Sequence, residues 1–340
     1  MHTNCKKSVQ VSVIIPTLNA GISIKDLCSK LWNQTHSPHE IIVIDSESKD
    51  DTAVWAREAG ARIISINRYE FDHGGTRNRA ASTATGEILL FMTQDAIPYN
   101  EKLIEELIKP LTDLGDESND SCRYDDVIMS YARQLARSDA SIPEKLAREH
   151  NYPPASRIQS IDQLEKLGIK TFFCSNVCSA IRKKSFESMG RFQEPVIFNE
   201  DLFMSAKCIL GGKKVAYCAE AMVTHSHDYT AMQQFKRYFD NGVSMRLNAW
   251  ITPYSSVGNA GSQLVRSQLK GLYANGRWYM IPKLIVESAA KLFGYKLGLH
   301  HRRLPKFFIK RISMHPLIWG QLNGRSETIT IPNQTNTLDQ

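Results

Sequence analysis

The stretch "EIIVIDSESKDDTAVWAREAGARIISI", residues 40–66, reads as strand, polar loop, helix and strand. Ile41 to Ile44 form an unbroken apolar run, the pattern of a strand buried on both faces rather than on one. "SESKDDT" stops the run, "AVWAREAG" carries a helical pattern that ends at a glycine, and "ARIISI" (61–66) opens a second run. Two strands joined through a helix lie parallel, because the crossover returns the chain to its starting edge. The same unit recurs on either side. "VSVII" (11–15) is an apolar run ended by Pro16, followed by a helix from Ile22 with Leu27 and Leu31 on its apolar side. Downstream, "TRNRAASTAT" opens a helix and "EILLFMT" (87–93) is a fourth strand ending at "QDAIP". This predicts an α/β fold, a mostly parallel central sheet with helices on both faces.

Farther along the pattern loosens. "DDVIMSYARQL", "VCSAIR" and "KKVAYC" read as later strands, with a helix opening near "NEDLFMSAKCILGG". A polar, Pro-containing segment at 138–168 has no assignable period. From Thr230 to about residue 320 the chain is predicted mostly helical, and "SETITIPNQTNTLDQ" lacks periodicity, which predicts a mobile tail at 326–340. The expected organisation is an α/β unit at 9–230 and a helical, basic region at 231–325.

Bulk properties narrow the function. With 340 residues, 42% apolar and 23% charged, the composition is that of a globular chain. No window holds eighteen uninterrupted apolar residues, so a membrane-spanning helix is not expected. The N-terminus lacks an apolar stretch followed by a small-residue cleavage site, so a cytoplasmic location is expected. The seven cysteines (Cys5, Cys28, Cys122, Cys174, Cys178, Cys208 and Cys218) are odd in number and form no C-x-x-C pair. Reduced, mostly buried thiols follow. Charge is uneven: between Asn241 and Arg325 thirteen Lys and Arg face one acid, Glu287, whereas the whole chain carries only +7. Such a segment points to an anionic partner surface.

In an open parallel sheet, ligands bind beyond the carboxyl ends of the strands. Here those ends carry "PTLN", "DSESKDDT" and "TQDAIP". Pro16, Thr17, Leu18 and Asn19 stand where a dinucleotide fold needs G-x-G-x-x-G, and no G-x-x-x-x-G-K-[ST] loop is present. A turn far richer than a fold requires, "INRYEFDHGGTRNRAAS" (66–82), precedes the fourth strand.

Taken together, "VSVIIPTLNA", "IIVIDSESKDDT", "HGGTRNRAAS", "ILLFMTQDAIP" and "NEDLFMSAKCILGGKKVAY" resemble glycosyltransferase family 2, whose members have a GT-A fold and use nucleotide-sugar donors. The resemblance covers roughly two-thirds of the chain. "FDHGGTRNRAAS", "FMTQDAIP" and "HSHDYTAMQQFKRYFDNG" look most like bacterial rhamnosyltransferases of surface polysaccharide synthesis.

The resemblance implies an inverting transfer of a deoxyhexose, L-rhamnose from dTDP-rhamnose, to a growing, lipid-linked glycan. It places Pro16, Thr17, Asn19, Asp45, Ser46, His73, Gly74, Arg77, Gln94 and Asp95 around the donor. Asp45 matches the acid that holds the pyrimidine ring. The glycines after His73 would let backbone approach the diphosphate, Arg77 would add a fixed cation, and the amides opening the next helix would complete an anion site. The plain alternative is a satisfied turn histidine and a surface arginine. "TQD" (93–95) occupies the place of the family's D-x-D, with Thr93 where the first acid is expected. Asp95 can still hold Mg²⁺ or Mn²⁺, with His225 and His227 as further ligands, though two such histidines often serve structure alone. Of the acid pair Glu200–Asp201, the second would be the general base, with Glu200 orienting the acceptor; acids there could also simply favour a helix dipole.

The basic C-terminal segment mixes Leu, Ile, Phe and Trp with Lys and Arg, which suits an anionic membrane at the inner face of the cell membrane. Nucleic acid is not expected, because no helix-turn-helix, RNP or zinc pattern accompanies the charge. A solvated helix packed on the catalytic unit is the bland alternative. Two other functions stand against glycosyl transfer: a sugar-nucleotide nucleotidyltransferase, and a non-catalytic membrane or nucleic-acid adaptor.

Overall fold

The computed structural model describes residues 9–112, 124, 126–256 and 260–322. Cys5, Cys122 and the 326–340 tail lie outside them. The first half follows the strand–helix alternation: β1 (Val11–Thr17), α1 (Ser23–Trp32), β2 (Glu40–Asp45), α2 (Thr52–Glu58), β3 (Arg62–Ser65), α3 (His73–Thr83) and β4 (Ile88–Met92). β3, β2, β1 and β4 are neighbours in that order, all parallel, as the apolar runs predict.

Next come β5 (Ile97–Pro98), α4 (Leu103–Thr112), β6 (Val127–Leu135), α5 (Ile142–Asn151), β7 (Arg157–Gln159) and α6 (Leu164–Leu167). β8 (Cys178–Arg182), α7 (Lys183–Ser188), α8 (Glu200–Leu210) and β9 (Lys214–Thr224) complete the sheet region. The sheet continues as β4-β8-β6-β9-β5, with β7 on β9. Here the pairing is mixed: β8 is antiparallel to β4 and β6, while β6 and β9 are parallel. The segment 138–168 that sequence alone leaves unplaced supplies α5 and the edge strand β7.

Alternate side chains of the strands feed two cores, which is why the strands read as continuous apolar runs. Val11, Val13 and Ile15 pack with Leu27 and Leu31 of α1 and with Leu103 and Leu107 of α4. Ile14, Ile42, Ile44 and Phe91 pack on the other face with Ala80 and Ala81 of α3 and Phe203 of α8. Burial of each large aliphatic or aromatic side chain contributes about 1.5–3 kcal/mol. Cys28, Cys174, Cys178, Cys208 and Cys218 are buried free thiols, as expected.

The C-terminal helices are α9 (Ala231–Leu247), α10 (Ala260–Ala274), α11 (Ile281–Leu299), α12 (Lys306–Ile312) and α13 (Trp319–Leu322). A third apolar cluster joins Ile197 to Phe239 and Val243 of α9, Ile309 and Ile312 of α12, and Trp319. α11 lies directly on α9, backbone against backbone. A Cβ on Gly298 would sit 2.1 Å from the Phe239 carbonyl oxygen, and one on Gly242 would sit 2.2 Å from that of Tyr295. Among the described residues, no helix is long and apolar enough to cross a membrane.

Candidate active site

The parallel register sets Thr17 beside Asp45 at the ends of β1 and β2. Asp45 is buried and accepts from Thr17 Oγ1 at 3.0 Å, Ser48 N at 2.9 Å and Ser48 Oγ at 2.5 Å. A carboxylate has about four acceptor sites, so Oδ2 keeps room for one more donor. At the start of α2 it is Asp50, not Asp45, that accepts from Thr52 N, at 3.1 Å. Asn19 takes a left-handed φ of 50°, accepts from Lys49 N at 2.9 Å and donates its own N–H to Ser48 Oγ at 2.8 Å. Gln94 clamps the neighbouring residue: its Oε1 accepts from Leu18 N at 2.8 Å and its Nε2 donates to Leu18 O at 3.2 Å. Pro16 stands between Ile15 and Thr17 at the end of β1, and Ser46 is buried behind Asp45 with its hydroxyl unpartnered within the protein. The three strand-end loops thus form one rim.

Asp95 follows β4, and His225 and His227 follow β9. His225 N donates to Leu135 O at 2.9 Å, which carries the β6–β9 pairing one residue beyond Thr224. Asp95 Oδ2 lies 3.0 Å from His227 Nε2 and 3.5 Å from His225 Nε2, and the three candidate ligand atoms fall within 4.8 Å of one another. The Gln134 amide oxygen sits 3.1 Å from His225 Nδ1. It requires the hydrogen on Nδ1, so Nε2 turns its lone pair toward Asp95. Burial lowers the His225 pKa despite the opposing pull of Asp95, which favours the neutral, ligating imidazole. Burial alone would raise the Asp95 carboxyl, but the His225 and His227 side chains beside it outweigh burial and hold it well below the usual range. Two imidazole nitrogens and one carboxylate oxygen fit a divalent cation that accepts mixed N and O ligands.

The "DHGGTRN" turn is built differently from its expectation. Asp72 caps α3: its Oδ1 accepts from Gly74 N at 2.9 Å, Gly75 N at 2.8 Å and Val196 N at 3.2 Å. The amides expected to hold a phosphate are therefore already taken. Gly74 does permit a close approach, but by protein: a Cβ there would meet the Gln193 carbonyl oxygen at 1.9 Å. Asn78 also serves this packing, donating to Phe192 O and Glu194 Oε2, each at 2.9 Å. Part of the surplus in this turn is thus structural.

Arg77 is buried, not a surface arginine. Its Nη1 donates to His73 O at 2.8 Å and lies 3.4 Å from Glu200 Oε1. Glu200 also accepts from Asn176 Nδ2 at 3.1 Å. Asp201 Oδ2 accepts from Asn176 N at 3.0 Å, and Oδ1 from Leu202 N at 2.8 Å. Burial, then the neighbouring Glu200 charge, push the Asp201 carboxyl well above the usual range. Asn176 joins this acid pair to the strand-end rim, because Thr93 N donates to the next residue's carbonyl, Val177 O, at 3.2 Å.

His73 lies among rings: stacked on Phe198 at 5.0 Å, with Phe71 and His315 edge-on at 5.3 and 5.0 Å. Burial and the nearby Arg77 and Arg237 push it down to about 3, so it is neutral. Its Nε2 is buried without a protein partner. Sequence reasoning missed three residues here. Asn176 bridges the acids; His315 arrives from the C-terminal region, its N–H held by Asp240 at 3.0 Å. Arg237 of α9 lies 4.9 Å from the Phe198 ring and 5.7 Å from the Tyr229 ring. Tyr229 in turn stacks on His227 at 4.9 Å. "FKRY" within a quoted motif was the available signal for Arg237; Asn176 and His315 carry none.

A family model described as Glycosyl transferase family 2 matches residues 12–190. The O-antigen chain rhamnosyltransferase WbaN of Salmonella anatum is 39% identical over 93% of this chain and 97% of its own. The O-antigen chain rhamnosyltransferase RfbN of Salmonella typhimurium is 38% identical, over 94% and 98%. Among solved structures, the mannosyltransferase PcManGT of Pyrobaculum calidifontis, in complex with GDP-Man and Mn²⁺, superposes with a TM-score of 0.51. It is 15% identical, covers 85% of this chain and 88% of its own, and bears on the GT-A fold alone.

Proposed function

Because this chain belongs to glycosyltransferase family 2, we propose that it transfers L-rhamnose from dTDP-rhamnose to a hydroxyl of a growing, lipid-linked bacterial surface glycan. A glycosyltransferase leaves no place for the nucleotidyltransferase or adaptor alternatives. Identity to two O-antigen rhamnosyltransferases along nearly the whole chain supports rhamnosyl transfer. In this reading residues 9–230 form the catalytic unit, and 231–325 serve the acceptor side at the inner face of the membrane.

The spare acceptor site on Asp45 takes the pyrimidine N–H, with Pro16, Thr17, Asn19, Ser46 and Gln94 shaping the rim around the base and ribose. Asp95, His225 and His227 would hold a divalent cation, Mn²⁺ suiting the two imidazoles better than Mg²⁺, and it would neutralise charge on the leaving diphosphate. Arg77 is committed to Glu200, so Arg237, against the Tyr229 ring that stacks on His227, is a cation left for the diphosphate. Asp201 takes the proton of the acceptor hydroxyl as that oxygen attacks the anomeric carbon opposite the diphosphate, which inverts the centre. Two backbone amides fix the orientation of its carboxylate, and Glu200 raises its basicity while Arg77 keeps Glu200 in place.

The observation that carries this mechanism is the Asp201 carboxylate, half-buried, amide-held and raised, one bridging residue from the strand-end rim. Asp201→Asn keeps its shape and cannot take a proton. Transfer should fall about 10²- to 10⁴-fold, while stabilisation by dTDP-rhamnose in a thermal melt stays as in the unmodified chain. Turnover above about a tenth of the original, far outside that range, would place the base elsewhere.

A further inference from the structure

α11 shows two unlike faces. Gly294 and Gly298 lie against the backbone of α9, and Leu284 is buried on the same side. At 100° per residue, Ile285, Val286, Leu292 and Phe293 fall together on the opposite side, and all four are exposed. The approach to the helix continues the theme with Trp278, 67% exposed, and α12 adds Phe307 at 76%. An exposed helix face is ordinarily polar, and contiguous apolar patches mark surfaces that meet a partner. The charges beside this face are of one sign. Lys296 is exposed within it, and Arg303, Lys306 and Lys310 are exposed in the segment that follows α11. Glu287, the one acid between Asn241 and Arg325, is half-buried with Lys283 Nζ 3.8 Å away.

We propose that the outward face of α11, with the basic segment that follows it in the chain, docks this enzyme on an anionic phospholipid surface as an interfacial helix. The apolar stripe would enter the boundary between headgroups and acyl chains while the lysines and arginines meet the phosphates. Spanning is excluded for α11 because its other face is occupied by α9 and because no described helix meets the length and apolarity required. Charge decides against a second copy of this chain. A two-fold contact would set one strongly basic face against itself, and like charges in apposition disfavour association. Geometry gives the docking a purpose, which rests on the lipid-linked acceptor proposed above. A cleft of about 460 Å³ opens between α5, the 227–231 loop, α10 and α11, lined among others by Glu144, His227, Tyr229, Gln268, Lys283 and Lys291. One wall of it is therefore a candidate metal ligand, and another is the helix that touches the membrane. A glycan carried on a lipid would enter from the surface that α11 rests on.

The test uses the full chain and two readouts. In sedimentation with phosphatidylglycerol–phosphatidylethanolamine vesicles at low salt, the unmodified chain should pellet with the vesicles, and much less with phosphatidylcholine alone. Leu292→Glu with Phe293→Glu, both at exposed positions, should reduce that partition at least about tenfold, with an unchanged circular dichroism spectrum and melting temperature. Thermal stabilisation by dTDP-rhamnose with Mn²⁺ is measured on the same samples. If it persists while vesicle binding is absent in the unmodified chain, the docking surface is wrong and the donor reading stands. If vesicle binding behaves as expected and the nucleotide sugar gives no stabilisation, only the donor reading fails. Full vesicle binding by the double variant would overturn the proposal, as would a dimer that this variant splits without any change in vesicle binding.

Discussion

Asp95 and Asp201 are both carboxylates close to strand ends, and their surroundings drive them in opposite directions. Asp95 faces two imidazoles and is held ionised; Asp201 faces Glu200 in a buried setting and is raised. A base must be unprotonated, so turnover should fall as pH drops through the raised Asp201 value, placing the acid limb of kcat well above the ordinary aspartate range. Glu200→Gln removes the neighbouring negative charge and leaves Arg77 unopposed. Both changes favour the ionised Asp201, so the acid limb should move to lower pH in a kcat profile, and a limb that stays put would deny Glu200 this role. At Asp95 the test is cation affinity. His227→Ala should weaken Mn²⁺ binding at least about tenfold, read by calorimetry on the nucleotide-free protein. The identities of both acids were legible in the sequence, because each stands at a strand or helix end within a recognisable motif. Their opposite titration was not legible, since it depends on burial and on the approach of His225 and His227 to Asp95, neither of which leaves a local signature.

At the scale of elements, α3 and α11 show how a helix can be chosen for what it packs against. The glycines at 74 and 75 looked like an opening for a ligand, and the first is filled by the Gln193 carbonyl. What sequence could not supply was the long-range partner: the 192–196 segment is more than a hundred residues away and packs on α3 only in the folded chain. The α9–α11 contact makes the same point. Gly298→Val would force a side chain into the space held by the Phe239 carbonyl, so the helices must separate. Overpacking of this kind costs about 1–3 kcal/mol, to be read as a lower urea midpoint. Gly320→Ala is the control, because a Cβ there meets nothing within 4 Å. Equal midpoints for Gly298→Val and the unmodified chain would mean that the two helices are not tightly apposed in solution.

Over the whole molecule, an apolar cluster joins the C-terminal region to the sheet domain, and one buried acid inside that region fixes the path of its chain. Asp240 Oδ2 accepts from Met314 N at 2.7 Å and His315 N at 3.0 Å, and so brings His315 against His73. Burial raises the Asp240 carboxyl to about 7, against favourable contributions from Ser313, the two amides and Lys236. A folded-state value above the unfolded one means that the native chain holds the extra proton between the two. The Asp240 contribution to stability is therefore greatest in acid and declines as pH rises from about 4 toward 7. Asp240→Asn keeps an amide-accepting oxygen without the charge, so the urea midpoint of this variant should change less between pH 5 and pH 7.5 than that of the unmodified chain. An identical pH dependence in both would remove Asp240 from this role. Taken by itself, the sequence determined the parallel half of the sheet, the rim residues at its strand ends, the acid pair, the Asp–His–His set and the basic C-terminal helices. The sheet and the helices follow from local period, turn chemistry and composition, which act over a few residues, and the site residues follow from motifs that resemble the family's. Only the tertiary structure decided the mixed second half of the sheet, the pairing of Arg77 with Glu200, the capping of α3 by Asp72, the arrival of Arg237 and His315 at the site, and the outward apolar face of α11. Each of those depends on which distant surfaces exclude water together, and burial of that kind is a property of the folded chain.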